Sequence, residues 1–397
     1  MEGALRVWRY AAVLLTALLF LAAEASRGQA QTFQTSAPFA ILVDYDSGTV
    51  LLEKNADELM APASTSKIMT AEIVFRELAE GRLKLDDTMT VSLNAWHKGG
   101  ASSGGSTMFA KVNSQIRVED LLRGLIIDSG NDAAIALAEG IAGSEDAFAA
   151  LMTKRARELG LTQSTFANPW GKGDPQEKVT AREMAKLAAH VIKTYPQFYK
   201  YFGEQEFTWD KIRQRNRNPL LFMNVGADGL KTGDINESGF GLVGSAIQNG
   251  QRLILVINGM KTARERGEEA RKLIEWGFRA FEAKVMFAAD ETVGTARVYG
   301  GEQSEVPLVA GAAVKLLVPR GSDTKLVGKI VYRGPLLAPV EEGVEVARLK
   351  VWRGTAEVLD LPLKTANSVA VGSLPKRAFD AGVELATNLL LKSFSKN

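Results

Sequence analysis

The stretch "PASTSKIMT", residues 62–70, decides how this chain is interpreted. Ser64 and Lys67 lie three positions apart, directly after Pro62 and at the head of an apolar run. Apolar residues then recur around most of the circumference of a helix, which predicts a buried helix that ends near Gly81. Since positions i and i+3 share one helix face, the lysine amine can reach the serine oxygen.

This pair has a possible chemistry. Partial burial and the positive end of the helix dipole both lower the pKa of a lysine in the first turn. A neutral amine can then take the proton of a serine hydroxyl and make the oxygen a nucleophile. Ser-x-x-Lys alone is a weak motif, because an exposed helix start has the same spacing by chance.

Composition narrows the classes of function. The chain has 397 residues, which is enough for two domains, and a net charge of +2, which does not favour nucleic-acid binding. It has no cysteine and only two histidines, His97 and His190. Disulfides and thiolate chemistry are therefore excluded, a histidine-rich metal cage is excluded, and lysine is the obvious base. No metal or organic cofactor is implied.

The N-terminus has the pattern of a secretory signal. Two arginines precede an apolar stretch at residues 11–23, and small residues follow. This apolar core is short for a spanning helix but typical of an export signal. Cleavage sites fit after Ala25 or Ala30, and we expect cleavage after Ala30, which makes residues 1–30 the signal peptide. An uncleaved membrane anchor is the alternative.

The rest of the chain predicts an α+β fold. Residues 39–57 form a strand–turn–strand pattern, and Asn249-Gly250 between two apolar runs is a strong hairpin signal. Helical patterns lie between these hairpins and after them: 118–127, 132–142, 146–160, 180–194 and 263–282. Residues 180–194 open with Thr180 and Glu183, the spacing of a capping box. One antiparallel sheet faced by helices follows from this order.

The sheet and its helices, residues 31–288, are predicted to form the first domain, and two further units follow it. Residues 289–373 consist of short β-rich runs that indicate a small all-β domain. Residues 374–397 have apolar side chains at helical spacing and several lysines, which predicts a basic amphipathic helix.

Two other motifs accompany Ser64 and Lys67. "DSGNDA" places Ser129 and Asn131 in a turn between two predicted helices, and "DGLKTGD" follows with Lys231, Thr232 and Gly233 near the end of a predicted strand. Each is unremarkable alone, but the order Ser-x-x-Lys, Ser-Gly-Asn, Lys-Thr-Gly is specific.

With these motifs the chain resembles the low-molecular-mass penicillin-binding proteins, the peptidase S11-like serine D-alanyl-D-alanine carboxypeptidases. The resemblance covers nearly the whole chain, including "GLIIDSGNDAAIALAE", "WGFR", the β-rich region and the tail. It implies a penicillin-binding, serine β-lactamase-like transpeptidase domain, a small all-β domain and a C-terminal amphipathic helix.

The resemblance also implies roles for the motif residues. Ser64 is the acylated nucleophile, Lys67 takes its proton, and Ser129 relays a proton to the leaving D-alanine beside Asn131, which holds the substrate. Lys231 supplies positive potential and Thr232 binds the substrate carboxylate.

The resemblance also implies roles for backbone groups and for two arginines. Gly233 admits the substrate peptide, and the backbone N–H groups of Ser64 and Asp234 form an oxyanion hole. Relatives often carry His or Tyr where this chain has Asp234, which puts the affinity for an anionic substrate in doubt. Arg213 and Arg266 match arginines near the site, or are surface salt-bridge partners.

The expected function is trimming of the terminal D-alanine from the peptidoglycan pentapeptide stem, with β-lactam antibiotics as covalent inhibitors. The enzyme would lie in the periplasm, attached through residues 374–397 to the outer face of the inner membrane. A serine β-lactamase is one alternative, but the Glu-x-x-Asn of the class A type is not evident in residues 150–190. A non-catalytic cell-wall binding protein is the other.

Overall fold

The computed structural model describes residues 33–321 and 325–382. The predicted signal peptide at residues 1–30 lies outside the described residues, and so does most of the predicted amphipathic helix, residues 383–397.

Within these residues the α-helices agree closely with the helical patterns of the sequence. Their bounds are α1 Lys67–Ala79, α2 Leu93–Gly99, α3 Val118–Ile126, α4 Asn131–Ala142, α5 Glu145–Glu158, α6 Ala181–Thr194, α7 Pro196–Tyr199 and α8 Ala263–Ala280.

An antiparallel five-stranded sheet forms the centre of the first part of the chain, in the order β2-β1-β9-β8-β7. Its strands are β1 Phe39–Asp44, β2 Val50–Lys54, β7 Ala227–Ile235, β8 Gly239–Gln248 and β9 Gln251–Met260. The predicted hairpin joins β8 to β9, and Asn249 and Gly250 have the positive φ values of 51° and 77° that a tight hairpin turn of this type needs.

Both faces of this sheet are covered. Because successive side chains of a strand point to opposite faces, Leu42 packs with Leu273 of α8, whereas Ile41 packs with Ile68 and Phe75 of α1. The larger core lies on the α1 side, where most helices gather. The predicted α+β fold, an antiparallel sheet faced by helices, is confirmed.

Two local features differ from expectation. A short hairpin of β5 Glu206–Trp209 and β6 Ile212–Arg215, for which no strands were predicted, precedes the predicted strand that carries the Lys-Thr-Gly motif. At the start of α6, Thr180 Oγ1 accepts from the N–H of Glu183 at 3.1 Å, but the Glu183 carboxylate accepts from Ser164 Oγ instead of completing the capping box.

The remaining described strands are short or belong to the β-rich part. They are β3 Thr88–Thr90, β4 Gln115–Arg117, β10 Phe281–Phe287, β11 Thr292–Tyr299, β12 Glu305–Val309, β13 Val314–Pro319, β14 Leu326–Tyr332, β15 Leu336–Leu337, β16 Glu345–Arg353 and β17 Ala356–Thr365.

The β-rich part has its own core and its own sheet. Six strands follow the order β14-β16-β17-β12-β11-β15, and β10 pairs separately with β13. Since β10 follows α8 directly and pairs with the β-rich part, we propose a boundary at residue 281 rather than 289. Thr49 Oγ1 donates to the Val358 carbonyl at 2.6 Å and links the two parts.

Residues 374–382 are helical, which is where the predicted amphipathic helix begins. Leu374 and Phe379 are exposed there, at 77% and 68%. In the part of the chain that is described, no helix combines the length and apolar character needed to cross a bilayer.

Candidate active site

Ser64 lies in a single 3₁₀ turn, Ala63–Ser66, that leads directly into α1. Ala63 has a φ of 49°, in the left-handed region that a residue with a Cβ adopts only at a cost. Gly171 lies against this turn, where a Cβ would sit only 2.0 Å from the Ala63 carbonyl oxygen. The surrounding structure therefore holds an otherwise unfavourable turn, which presents Ser64 to a cleft.

The Lys67 amine has three partners. Nζ lies 2.9 Å from Ser64 Oγ, 2.8 Å from Asn131 Oδ1 and 2.7 Å from the Trp170 carbonyl oxygen. The last two atoms can only accept. A neutral amine therefore donates both of its hydrogens to them and directs its lone pair at the Ser64 hydroxyl.

The electrostatics of the site favour this neutral amine. Burial lowers the pKa of Lys67 to about 7, and the positive charge of Arg217 acts in the same direction. The negative charges of Asp132 and Asp234 oppose that shift of the Lys67 pKa, and so does Glu177 when its carboxyl group is ionised. Close to neutral pH, a substantial fraction of Lys67 is thus in the form that can accept a proton.

Ser129 and Asn131 flank the turn between α3 and α4. Ser129 is 2% exposed and has a positive φ of 59°. The N–H of Asn131 donates to the Ser106 carbonyl at 2.8 Å, and a Cβ on Gly105 would lie 2.8 Å from Asn131 Nδ2. The loop through residues 105 and 106 therefore packs directly on this turn and fixes it beside Lys67.

Lys231 lies on β7 and is 2% exposed. Its amine donates to the Thr232 carbonyl at 3.2 Å. Burial holds the pKa of Lys231 well below its ordinary value, and the positive charges of Lys67, Arg217 and Arg266 lower it further. An anion that enters the cleft favours the charged form of Lys231 and is attracted by the positive charges of Arg217 and Arg266.

Gly233 brings β7 against the nucleophile turn. A Cβ at this position would lie 2.9 Å from the backbone nitrogens of Ser64 and Thr65 and 3.0 Å from the Pro62 carbonyl oxygen. Only glycine permits this approach without a shift of the backbone. The backbone of Asp234, the next residue on β7, therefore also lies close to the nucleophile turn.

The motifs converge on one cleft of about 470 Å³. Its lining includes five of the residues expected from the sequence: Ser64, Ser129, Asn131, Thr232 and Asp234. Lys67 and Lys231 are buried beneath it. Among the described residues, no group of three or more His, Asp or Glu side chains is arranged to hold a metal ion.

Arg213 is not at this cleft, which corrects the expectation from the sequence. Its guanidinium is 68% exposed and forms an ion pair with Glu206 across the β5–β6 hairpin. The neighbouring Gln214 faces inward and donates to the Thr107 carbonyl. Alternation along the strand therefore turns Arg213 away from the site.

Arg217 and Arg266 are the arginines at the site. Arg217 lines the cleft, and its Nε donates to the Asp128 carbonyl at 3.1 Å. Arg266 is 7% exposed, lies 5.7 Å from the centre of the Phe240 ring, and its Nε has no hydrogen-bond partner among the described residues. Burial lowers the pKa of Arg266, and the charge of Asp234 opposes that shift.

Sequence reasoning also missed three groups near Lys67 and Ser129. The Trp170 carbonyl and the buried Glu177 lie in an irregular segment without a motif, and the Asp128 carboxyl is buried with neither oxygen hydrogen-bonded to a described residue. Burial raises the pKa of Asp128 to about 7. The only available signal was an acidic residue directly before the Ser-Gly-Asn turn.

Comparison with known proteins agrees with this geometry. The profile of the D-alanyl-D-alanine carboxypeptidase family, peptidase S11, matches residues 25–262. That of the penicillin-binding protein 5 C-terminal domain matches residues 281–371. The chain is 42% identical over 371 residues to the D-alanyl-D-alanine carboxypeptidase DacC of Escherichia coli, which covers 92% of this chain and 93% of the relative.

Solved structures give the same result. Penicillin-binding protein 5 from Haemophilus influenzae superposes with a TM-score of 0.77 at 34% identity, over 86% of this chain and 99% of that one. Penicillin-binding protein D2 from Listeria monocytogenes, solved in its ampicillin-bound form, superposes with a TM-score of 0.54 at 29% identity, over 62% and 99%. The chain belongs to the peptidase S11 family and is a serine-type D-alanyl-D-alanine carboxypeptidase.

Proposed function

We propose that this enzyme removes the terminal D-alanine of peptidoglycan pentapeptide stems through an acyl-enzyme on Ser64. The observation that carries the proposal is the Lys67 amine, which contacts Ser64 Oγ while two acceptors occupy its hydrogens.

In the acylation step, neutral Lys67 takes the proton of Ser64 as Oγ bonds to the carbonyl carbon of the penultimate D-alanine. The carbonyl oxygen becomes negative and is held by the backbone N–H groups of Ser64 and Asp234. One such donor typically contributes about 3–4 kcal/mol to the transition state. The close approach at Gly233 supports this assignment, because it brings β7 against the nucleophile turn.

Ser129 passes its proton to the nitrogen of the departing D-alanine and takes up the proton that Lys67 accepted, as the carbonyl re-forms and the peptide C–N bond breaks. Water then attacks the ester on Ser64 and releases the shortened peptide. Asn131 has two roles here, since its Oδ1 accepts from Lys67 while its amide lies at the cleft to bind substrate.

Lys231 and Thr232 hold the carboxylate at the end of the substrate. Burial favours a neutral Lys231, and a bound carboxylate favours the charged form. Substrate binding would therefore draw a proton to Lys231 and form an ion pair inside the cleft. Arg217 and Arg266 add positive potential on the same side.

Penicillins acylate the same serine in this proposal, because their strained amide occupies the place of the scissile peptide bond. The ampicillin-bound Listeria structure, a relative by fold and sequence, supports this extension.

The proposed location is the periplasm, with attachment to the outer face of the inner membrane through residues 374–397. The export signal in residues 1–30 and the exposed Leu374 and Phe379 at the start of the tail support this location.

Two variants test the mechanism. Ser64→Ala should lose both covalent penicillin labelling and release of D-alanine from a D-Ala-D-Ala peptide, with an unchanged melting temperature. Lys67→Ala should slow both reactions by about 100- to 10,000-fold, the usual contribution of a general base. Ser102→Ala, an exposed serine, is the control and should behave as the unaltered chain.

Mass spectrometry of the penicillin adduct identifies the labelled residue. A covalent adduct that persists in Ser64→Ala contradicts the mechanism. Negligible D-alanine release beside rapid penicillin turnover would favour the β-lactamase alternative, and absence of both reactions would favour a binding protein.

A further inference from the structure

The second acceptor of Lys67 comes from an irregular segment, residues 168–172. The Trp170 carbonyl accepts from Lys67 Nζ at 2.7 Å, and the preceding Pro169 carbonyl accepts from Thr70 Oγ1 at 2.6 Å. Both donors lie on α1, one helical turn apart. The segment therefore sits along the same helix face that carries the proposed base.

One side chain holds this segment in shape. Asn168 Oδ1 accepts from the backbone N–H groups of Trp170, Gly171 and Lys172 at 3.2, 2.8 and 3.0 Å. Asn168 Nδ2 donates to the Lys172 carbonyl at 3.0 Å. These four bonds fold the segment around the amide and fix the direction of the Trp170 carbonyl.

Asn168 is itself held by a buried acid. Its Nδ2 also donates to Glu177 Oε2 at 3.0 Å. Glu177 is 1% exposed, and its carboxyl group also faces the side chain of Ser66 in the nucleophile turn. Burial raises the pKa of Glu177 to about 8, so that a neutral carboxyl group prevails at neutral pH. The geometry requires of this position an oxygen that accepts from Asn168 Nδ2.

We propose that Asn168 and Glu177 are positioning residues for acylation, which aim the Trp170 carbonyl at Lys67 and so keep the lone pair of the amine directed at Ser64. This inference rests on the proposed roles of Ser64 and Lys67. Without the carbonyl, one N–H of the amine has no acceptor, and the amine is free to turn away from the hydroxyl.

The test compares hydrogen bonding with charge at position 177. Glu177→Gln retains an oxygen that accepts from Asn168, whereas Glu177→Leu fills the space without an acceptor. Asn168→Ala removes the side chain whose hydrogen bonds fold the segment. Gln176→Ala, at the exposed position next to Glu177, is the matched control. Acylation by a fluorescent penicillin is measured from pH 5.5 to 9.5, together with the melting temperature.

Asn168→Ala and Glu177→Leu should acylate at least about tenfold more slowly, because small misplacements of catalytic groups are costly. The pH range over which their acylation rate rises should move to higher pH, since water that reaches Lys67 favours its charged form. A smaller folded fraction would lower the rate without moving that range. Glu177→Gln and Gln176→Ala should stay within about twofold of the unaltered chain at and below neutral pH, where the carboxyl group of Glu177 is mostly protonated.

Two results would overturn the proposal. One is an acylation rate in Asn168→Ala and Glu177→Leu that is unchanged at every pH. If Asn168→Ala does not fold, the same result in Glu177→Leu alone is sufficient. The other is a Glu177→Gln variant as slow as Glu177→Leu, which would assign the effect to the charge of Glu177. Failure of the unaltered chain to be labelled at Ser64 would instead refute the proposed function, so the two failures are distinguishable.

Discussion

The Lys67 amine is the residue-scale feature on which the chemistry depends. It is fully buried, yet all of its partners are uncharged oxygens, from Ser64, Asn131 and Trp170. Replacing water by these neutral acceptors stabilises the ammonium form poorly, so burial prevails and the pKa of Lys67 falls to about 7. The sequence predicted this direction from burial and the helix dipole, and burial is the larger cause.

The pH dependence of acylation follows from that shift. Lys67 accepts a proton only when neutral, so kcat/KM should rise as pH increases through about 7, the pKa of Lys67. One pH unit below that pKa, about one tenth of the amine is neutral and acylation should be about tenfold slower. Stopped-flow acylation by a chromogenic penicillin measures this limb, and a flat profile between pH 5.5 and 8 would contradict the assignment of Lys67 as base.

Asp234 gives a second prediction at this scale. It is exposed at the cleft and forms no ion pair with any described residue, although its charge acts on Lys231 and Arg266. Repulsion of the substrate carboxylate should therefore outweigh pairing with an arginine. Asp234→Asn should lower KM for a D-Ala-D-Ala peptide by a few-fold and leave kcat nearly unchanged, the mark of a uniform binding effect.

Steady-state kinetics of Asp234→Asn and of the unaltered chain at low and at high salt test this prediction. Salt screens the charge of Asp234, so the difference between the two KM values should shrink at high salt. A KM that rises in Asp234→Asn would show instead that Asp234 pairs with Arg217 or Arg266 when substrate is bound.

At the scale of elements, the site depends on how closely β7 approaches the turn before α1. Gly233→Ala would place a Cβ 2.9 Å from two backbone nitrogens, and neither can move without moving Ser64. Acylation should slow by about tenfold or more, because the nucleophile and the proposed oxyanion donors shift relative to each other. Penicillin acylation rates and melting temperatures measure the effect.

Gly328→Ala is the matched control for that change. Gly328 also lies in a strand, β14, but the nearest atom to an added Cβ is the end of the Leu349 side chain at 3.8 Å. Its acylation rate should match that of the unaltered chain. An equally fast Gly233→Ala would mean that the close approach of β7 is not needed for the chemistry.

Helices with regular hydrophobic periodicity were predictable from the sequence, whereas local features that depend on residues distant in the chain were not. α3 to α6 and α8 begin and end within about two residues of the patterns in the sequence, as their caps and apolar faces indicate. The capping box at Thr180 and Glu183 is only half formed, because Ser164 Oγ competes for the carboxylate. That competitor lies 19 residues away and is invisible to a local pattern.

At the scale of the whole molecule, the cleft lies wholly within residues 64–235, so the β-rich part and the tail contribute none of its lining residues. A truncated chain that ends at Leu374 should leave the membrane fraction and retain carboxypeptidase activity. In the proposed helix of residues 374–397, apolar side chains on one face and lysines beside anionic lipid would together give a stable but reversible attachment. Sedimentation with membranes, against the full-length chain as control, measures this.

Continued sedimentation of the truncated chain with membranes would remove the proposed role of the tail. It would leave the alternative that residues 374–397 pack on the protein's own β-rich part, a contact for which Gly300 N and Asp380 Oδ2, 3.1 Å apart, are a starting point.

The sequence by itself determined the fold class, the family and the three motifs, because short-range periodicity and fixed spacings are written locally along the chain. Only the tertiary structure decided which arginine reaches the cleft. Arg213 lies on β6, whereas Arg217 lies two residues after that strand ends. Strand alternation and the hydrogen bond from Gln214 to the Thr107 carbonyl turn Arg213 outward, and Arg217 lines the cleft. The acceptors around Lys67 were also decided there, because a backbone carbonyl 103 residues away carries no side-chain signature.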